Sequence, residues 1–152
     1  MPLPPLPDSA ISLHAAAEDW RSAVRLAGDA LAHAGFTTEE YSARMVQVVE
    51  EYGAYIVIAP GLALAHARPG ADVLSPGVSV VTLSEPVNFG HPHNDPVNVL
   101  IGLAVTGAEE HVTSVAELAN VFNDARSIPA LAEATTPERV REILGARATS
   151  EE

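Results

Sequence analysis

The sequence predicts an α/β protein in which a sheet is covered by helices on both faces, and three observations carry that prediction. Two helical segments stand before a block of short apolar runs, two more stand after it, and the last run, residues 97–105, is apolar almost throughout. A strand of that composition is buried on both faces and belongs in the middle of a sheet.

In chain order, Ile11 to His14 reads as a short strand. Glu18 to Ala34 carries Trp20, Val24 and Leu31 at helical spacing with alanines between, and Gly35 supplies the stop. Thr37-x-x-Glu40 has the form of a capping box for a second helix running to about Glu51, with Tyr41, Met45, Val48 and Val49 on its inner face. Tyr55 to Ile58 are β-formers, Pro60-Gly61 interrupts them, Leu62 to His66 resumes the strand pattern, and Pro69-Gly70 ends it. Val78 to Leu83 and Val97 to Val105 complete the strands. A third helix spans about Glu109 to Asn123, with Val112, Val115, Ala119 and Phe122 facing inward. Thr136-Pro137 opens a final helix through Leu144.

The 152 residues, 47% of them hydrophobic, fit one domain spanning 1–152. No apolar stretch approaches the roughly 20 residues that cross a bilayer, so no direct membrane insertion is expected. Met1-Pro2-Leu3-Pro4-Pro5-Leu6-Pro7 lacks the basic start and apolar centre of a signal peptide. Residues 1–8 are therefore expected to form a frayed, extended tail, and the chain to be cytoplasmic. With no cysteine, the chain forms no disulfide and offers no thiol as a group acceptor. Acidic residues outnumber basic ones 20 to 8, all eight being arginine, for a net charge of −12. That balance argues against nucleic acid as a partner. It favours a protein partner with a basic face, although acids spread along the chain also serve solubility.

The stretch Gly61-Leu62-Ala63-Leu64-Ala65-His66-Ala67-Arg68-Pro69-Gly70 carries the chemistry. It places His66 where a buried strand meets a loop, held by a rigid element yet reachable. An imidazole there suits a nucleophile or proton carrier near neutral pH, where an unperturbed ring with a pKa of roughly 6.5 is mostly neutral. The same position also suits a structural histidine capped by a backbone carbonyl, and spacing alone leaves both readings open. His91-Pro92-His93 has the spacing of a metal-ligand pair, but no cysteine or tight carboxylate set accompanies it, and it is read as an ordinary loop.

This stretch, with Gly53 to Pro60 before it and Val80 to His91 and Asn94-Asp95-Pro96 after it, resembles the IIA components of the sugar phosphotransferase system (PTS). Within the fructose-mannitol group it looks most like the ascorbate-type members, from about Ser12 to Ile143. The resemblance implies an α/β sandwich with a mixed sheet and no cofactor. It also implies that His66, in the Gly-x-Ala-x-x-His motif, takes a phosphoryl group on Nε2 from the phosphocarrier HPr and passes it to a cysteine of a IIB component. His111 occupies the position of the family's second active-site histidine, and His91 matches a family position expected to border the site. Two departures stand out. Ala65 replaces the proline that many members carry before the histidine, and Glu50 stands where mannitol-type members have a phosphoryl-holding arginine. Arg68, on the same side as His66 if the strand continues, is the candidate replacement cation. The same residues fit a regulatory relative whose phosphorylated His66 controls a non-transport partner, or a binding module that has lost phosphotransfer.

Overall fold

The computed structural model describes residues 4–148, and within the third long helix the side chains of Ala108, Glu110, His111 and Val112 lie outside the described residues. Five strands form one mixed sheet in the order β1-β4-β5-β3-β2, with β1 Ile11–Ala15, β2 Val57–Ala59, β3 Leu62–His66, β4 Gly77–Val87 and β5 Val97–Ala104. β1 is parallel to β4 and β3 to β5, while the β4–β5 and β2–β3 pairs are antiparallel. The apolar β5 lies at the centre, as its composition predicts.

The helices are α1 Trp20–His33, α2 Glu40–Tyr52, α3 Ala108–Phe122, α4 Ser127–Glu133 and α5 Pro137–Leu144. α1 covers one face of the sheet. Ser79 and Gly102 pair across β4 and β5, and the Ser79 hydroxyl donates to the Ala27 carbonyl of α1 at 2.8 Å. α3 covers the other face, where Val115, Leu118, Ala119 and Phe122 line a cavity of about 310 Å³ with Leu64 of β3. The alternation of side chains along β3 sets Leu62, Leu64 and His66 toward α3, and Ala63 and Ala65 toward α1 and α2.

Local chemistry explains most boundaries. The Asp19 carboxylate accepts the Ser22 N–H at 2.9 Å and caps α1. Thr136 does the same for Arg139 at 3.2 Å, ahead of Pro137 at the start of α5. The Pro60-Gly61 turn between β2 and β3 needs a positive φ, 82° at Gly61, which glycine adopts without strain.

Four expectations change. The Thr37–Glu40 capping box is absent: α2 begins after Glu39 without a side-chain cap, the buried Thr37 hydroxyl has no partner among the described residues, and the Thr37 backbone bridges Val73. The N-terminal segment is docked rather than frayed over residues 4–8, since Leu6 is fully buried and its N–H donates to the Arg147 carbonyl at 2.7 Å. Asp8 pairs with Arg141 at 2.7 Å. Residues 1–3 lie outside the described residues. Residues 54–56 turn as a short 3-10 segment, which leaves β2 only three residues long. Lastly, α4 lies where the sequence pattern predicts no element. Pro129 falls in its first turn, where a missing N–H costs nothing, and burial of Leu131 holds the short helix.

The α1 face is packed too closely to accept another carbon at Gly102, whose added Cβ would overlap the Ser79 hydroxyl and lie 3.1 Å from the Ala27 carbonyl. Gly102→Ala is expected to lower stability by about 1–3 kcal/mol in urea denaturation. An unchanged midpoint would mean that α1 lifts freely from the sheet.

Candidate functional site

β3 ends on His66, whose ring is held on two sides. Nδ1 lies 3.0 Å from the Leu64 carbonyl oxygen, and the Tyr55 ring stands edge-on at 6.1 Å between centroids. A carbonyl oxygen only accepts, so Nδ1 carries a proton, and when the ring is neutral the lone pair lies on Nε2. The carbonyl cap is present and is compatible with a nucleophilic role, because it selects the tautomer that leaves Nε2 without a proton. His66 is partly buried, while Tyr55 and its edge-on neighbour Tyr52 are 48% and 60% exposed.

Beyond His66 the β3–β5 ladder opens. The fully buried Tyr41 hydroxyl of α2 accepts the Ala67 N–H at 3.0 Å and donates to the Leu103 carbonyl at 2.8 Å. With a single proton to give, it serves Leu103 rather than the Ala67 carbonyl at 3.2 Å. Burial pushes its pKa up to about 12, so it stays a donor at neutral pH. One turn later on α2, Arg44 grips both Asp72 carboxylate oxygens at 2.6 Å. The same guanidinium donates to the Arg68 carbonyl at 2.7 Å. The Arg44 hydrogen bonds hold the Asp72 carboxyl below the usual aspartate range.

The expected site residues fare differently. The strand does not continue to Arg68, whose exposed side chain enters no ion pair among the described residues and whose carbonyl is the part engaged. Glu50 pairs with Arg21 of α1 at 3.3 Å. α3 starts four residues after Ala104, just beyond Leu103, the residue paired with His66. The backbone of His111 therefore stands in the first turn of α3 at the His66 end of the sheet, while its side chain lies outside the described residues. His91 does not border this end. Its Nδ1 accepts the N–H groups of His93 and Asn94 at 3.1 and 3.0 Å. The Asn94 carbonyl in turn accepts the Gly61 N–H at 3.0 Å, where β3 begins rather than where it ends.

Tyr41 and Arg44 are the residues that sequence reasoning missed as site residues. Tyr41 reads as an inner-face aromatic, and nothing in the sequence joins Arg44 to Asp72, 28 positions away. A polar tip on an otherwise apolar helix face was the available signal.

Residues 5–146 match the family described as phosphoenolpyruvate-dependent sugar phosphotransferase system, EIIA 2. The chain is 36% identical over 138 residues to the ascorbate-specific PTS system EIIA component of Escherichia coli K12, covering 90% of each chain. It is similar to the crystal structure of IIA mannitol from E. coli, with a TM-score of 0.77 and 29% identity over 90% of this chain and 96% of that one. The IIA mannitol protein in complex with phosphorylated IIB mannitol gives a TM-score of 0.77 and 28% identity, covering 90% and 94%.

Because its pKa is depressed in the fold, Asp72 adds stability above the ordinary aspartate pKa of about 3.9, and that contribution is lost as pH falls through the folded-state value. The gap in urea midpoint between the wild type and Asp72→Asn is expected at pH 7 and should narrow as the pH is lowered below the ordinary aspartate range. A gap of equal size throughout would show that the ion pair contributes nothing.

Proposed function

The chain belongs to the EIIA 2 family of the phosphoenolpyruvate-dependent sugar phosphotransferase system, a family of phosphotransfer proteins, and we propose that it carries a phosphoryl group on His66 Nε2. In this reading, phospho-HPr is the donor and a cysteine of a IIB component is the acceptor, on the cytoplasmic side of a carbohydrate uptake system. The ascorbate-specific relative supports an ascorbate-like substrate for that system, and a relative held with phosphorylated IIB supports the partner.

The observation that carries the proposal is the Nδ1 contact to the Leu64 carbonyl. The Nε2 lone pair attacks phosphorus in line as the bond between phosphorus and the donor histidine's nitrogen breaks, and that electron pair returns to the donor ring. Positive charge grows on the His66 ring as Nε2 gives up its pair. The Nδ1–H bond to Leu64 then becomes charge-assisted, about twice as strong as a neutral one, and stabilises the transition state. The proton stays on Nδ1, so the phosphorylated ring remains a good leaving group for the second transfer, when a thiolate takes the phosphoryl and the electron pair returns to Nε2. The equatorial oxygens need donors at this end of the sheet, and His111 and Arg68 are the proposed ones.

Incubation with phosphoenolpyruvate, enzyme I and HPr, read by intact mass, tests this reading. The wild type is expected to gain one acid-labile phosphoryl group, His66→Ala none, and His111→Ala to be labelled about 100-fold more slowly. A wild type that takes no label from a matched HPr would contradict the proposal.

A further inference from the structure

We propose that Tyr41 and Arg44 are positioning residues for phosphoryl transfer: together they hold open the end of the β3–β5 ladder and so keep Nε2 of His66 aimed out of the sheet. The inference rests on His66 as the phosphoacceptor.

The register makes the argument. β3 pairs with β5 without a slip, from Leu62 on Val99 to His66 on Leu103. One further step of the same parallel register would carry the Ala67 N–H to the Leu103 carbonyl. The Tyr41 hydroxyl occupies that gap and bonds to both groups at 3.0 and 2.8 Å. An oxygen inserted between donor and acceptor separates the strands at the residue after His66, and the chain leaves the sheet there. The residue is fully buried and the hydroxyl makes both bonds, and turning its proton to the Ala67 carbonyl at 3.2 Å would leave the Leu103 carbonyl without it.

Arg44 fixes what Tyr41 opens. Its guanidinium lies 5.4 Å from the centre of the Tyr41 ring and ties the Arg68 carbonyl and the Asp72 carboxylate to α2. The Asp72 carbonyl in turn receives the Thr38 N–H at 2.8 Å. Small side chains permit the close approach of α2, since Ala65 and Ala67 flank His66 and are both buried. The loop from Ala67 to Asp72 is therefore anchored at three points to one helix, and the His66 backbone inherits that anchoring.

Tyr41→Phe removes the inserted oxygen and keeps the ring. The ladder then closes by one bond or leaves two buried groups unpaired, and either result turns His66. Transfer from phospho-HPr over a range of HPr concentrations, together with the ring 15N shifts of His66, tests this in the wild type, Tyr41→Phe, Arg44→Met and the distant control Arg141→Met. The maximal rate is expected to fall roughly tenfold or more in Tyr41→Phe, with an unchanged half-saturating HPr concentration and a smaller fraction of Nδ1–H tautomer. Arg44→Met is expected to change in the same direction, and Arg141→Met to lose thermal stability with rate and tautomer unaltered. A folded Tyr41→Phe with wild-type rate and tautomer overturns the proposal. If Tyr41→Phe does not fold, Arg44→Met decides by the same criteria. The tautomer shift needs no phosphoryl donor, so it judges the positioning role even if the wild type fails to label.

Discussion

The hydrogen bond from His66 Nδ1 to the carbonyl of Leu64, two residues back on the same strand, is the constraint on which the rest of the site depends. It costs the protein little, since a neutral bond of this kind contributes only about 1 kcal/mol. Its effect is selective rather than energetic. Of the two ring nitrogens it leaves Nε2 as the one with a free lone pair in the neutral ring, and it does so with a backbone atom that no side-chain substitution removes. The proposed phosphotransfer draws on the same bond again when the ring turns cationic.

The architecture serves that bond by giving it a stiff frame and an abrupt end. β3 lies between the central β5 and the short edge strand β2, and four of its five residues are buried. Its last residue is His66, the proposed phosphoacceptor, and the buried Tyr41 hydroxyl marks the point where pairing stops. α3 starts four residues after the end of β5, at the same end of the sheet, and it packs over Leu64, on the side of β3 to which the alternation assigns His66. The chain as a whole carries a net charge of −12. Such a charge makes encounters with a basic protein surface fast and salt-sensitive.

Much of this was legible in the sequence, for identifiable reasons. β3 was bounded correctly because Pro60-Gly61 and Pro69-Gly70 punctuate it, and β5 was placed centrally because it lacks polar alternation. The helix starting at Pro137 announced itself through the Thr136-Pro137 pair. The failures share a cause. Thr37 matched a capping pattern, but its backbone was recruited into a bridge with Val73. Pro-rich residues 4–7 looked unstructured, yet Leu6 fills a core position and Arg141 reaches across to the Leu6 carbonyl and Asp8. The Tyr41 and Arg44 contacts join α2 to a loop more than 20 residues downstream. Local pattern carries no information about partners at that separation, so only the fold reveals which polar groups meet.

The most direct measurement of the central claim is 15N and 31P NMR of the His66 ring before and after phosphorylation. The account predicts a protonated Nδ1 in the free protein and phosphorus–nitrogen coupling at Nε2 in the phosphorylated one. A proton on Nε2 in the free protein, or phosphorus bonded to Nδ1, would contradict it.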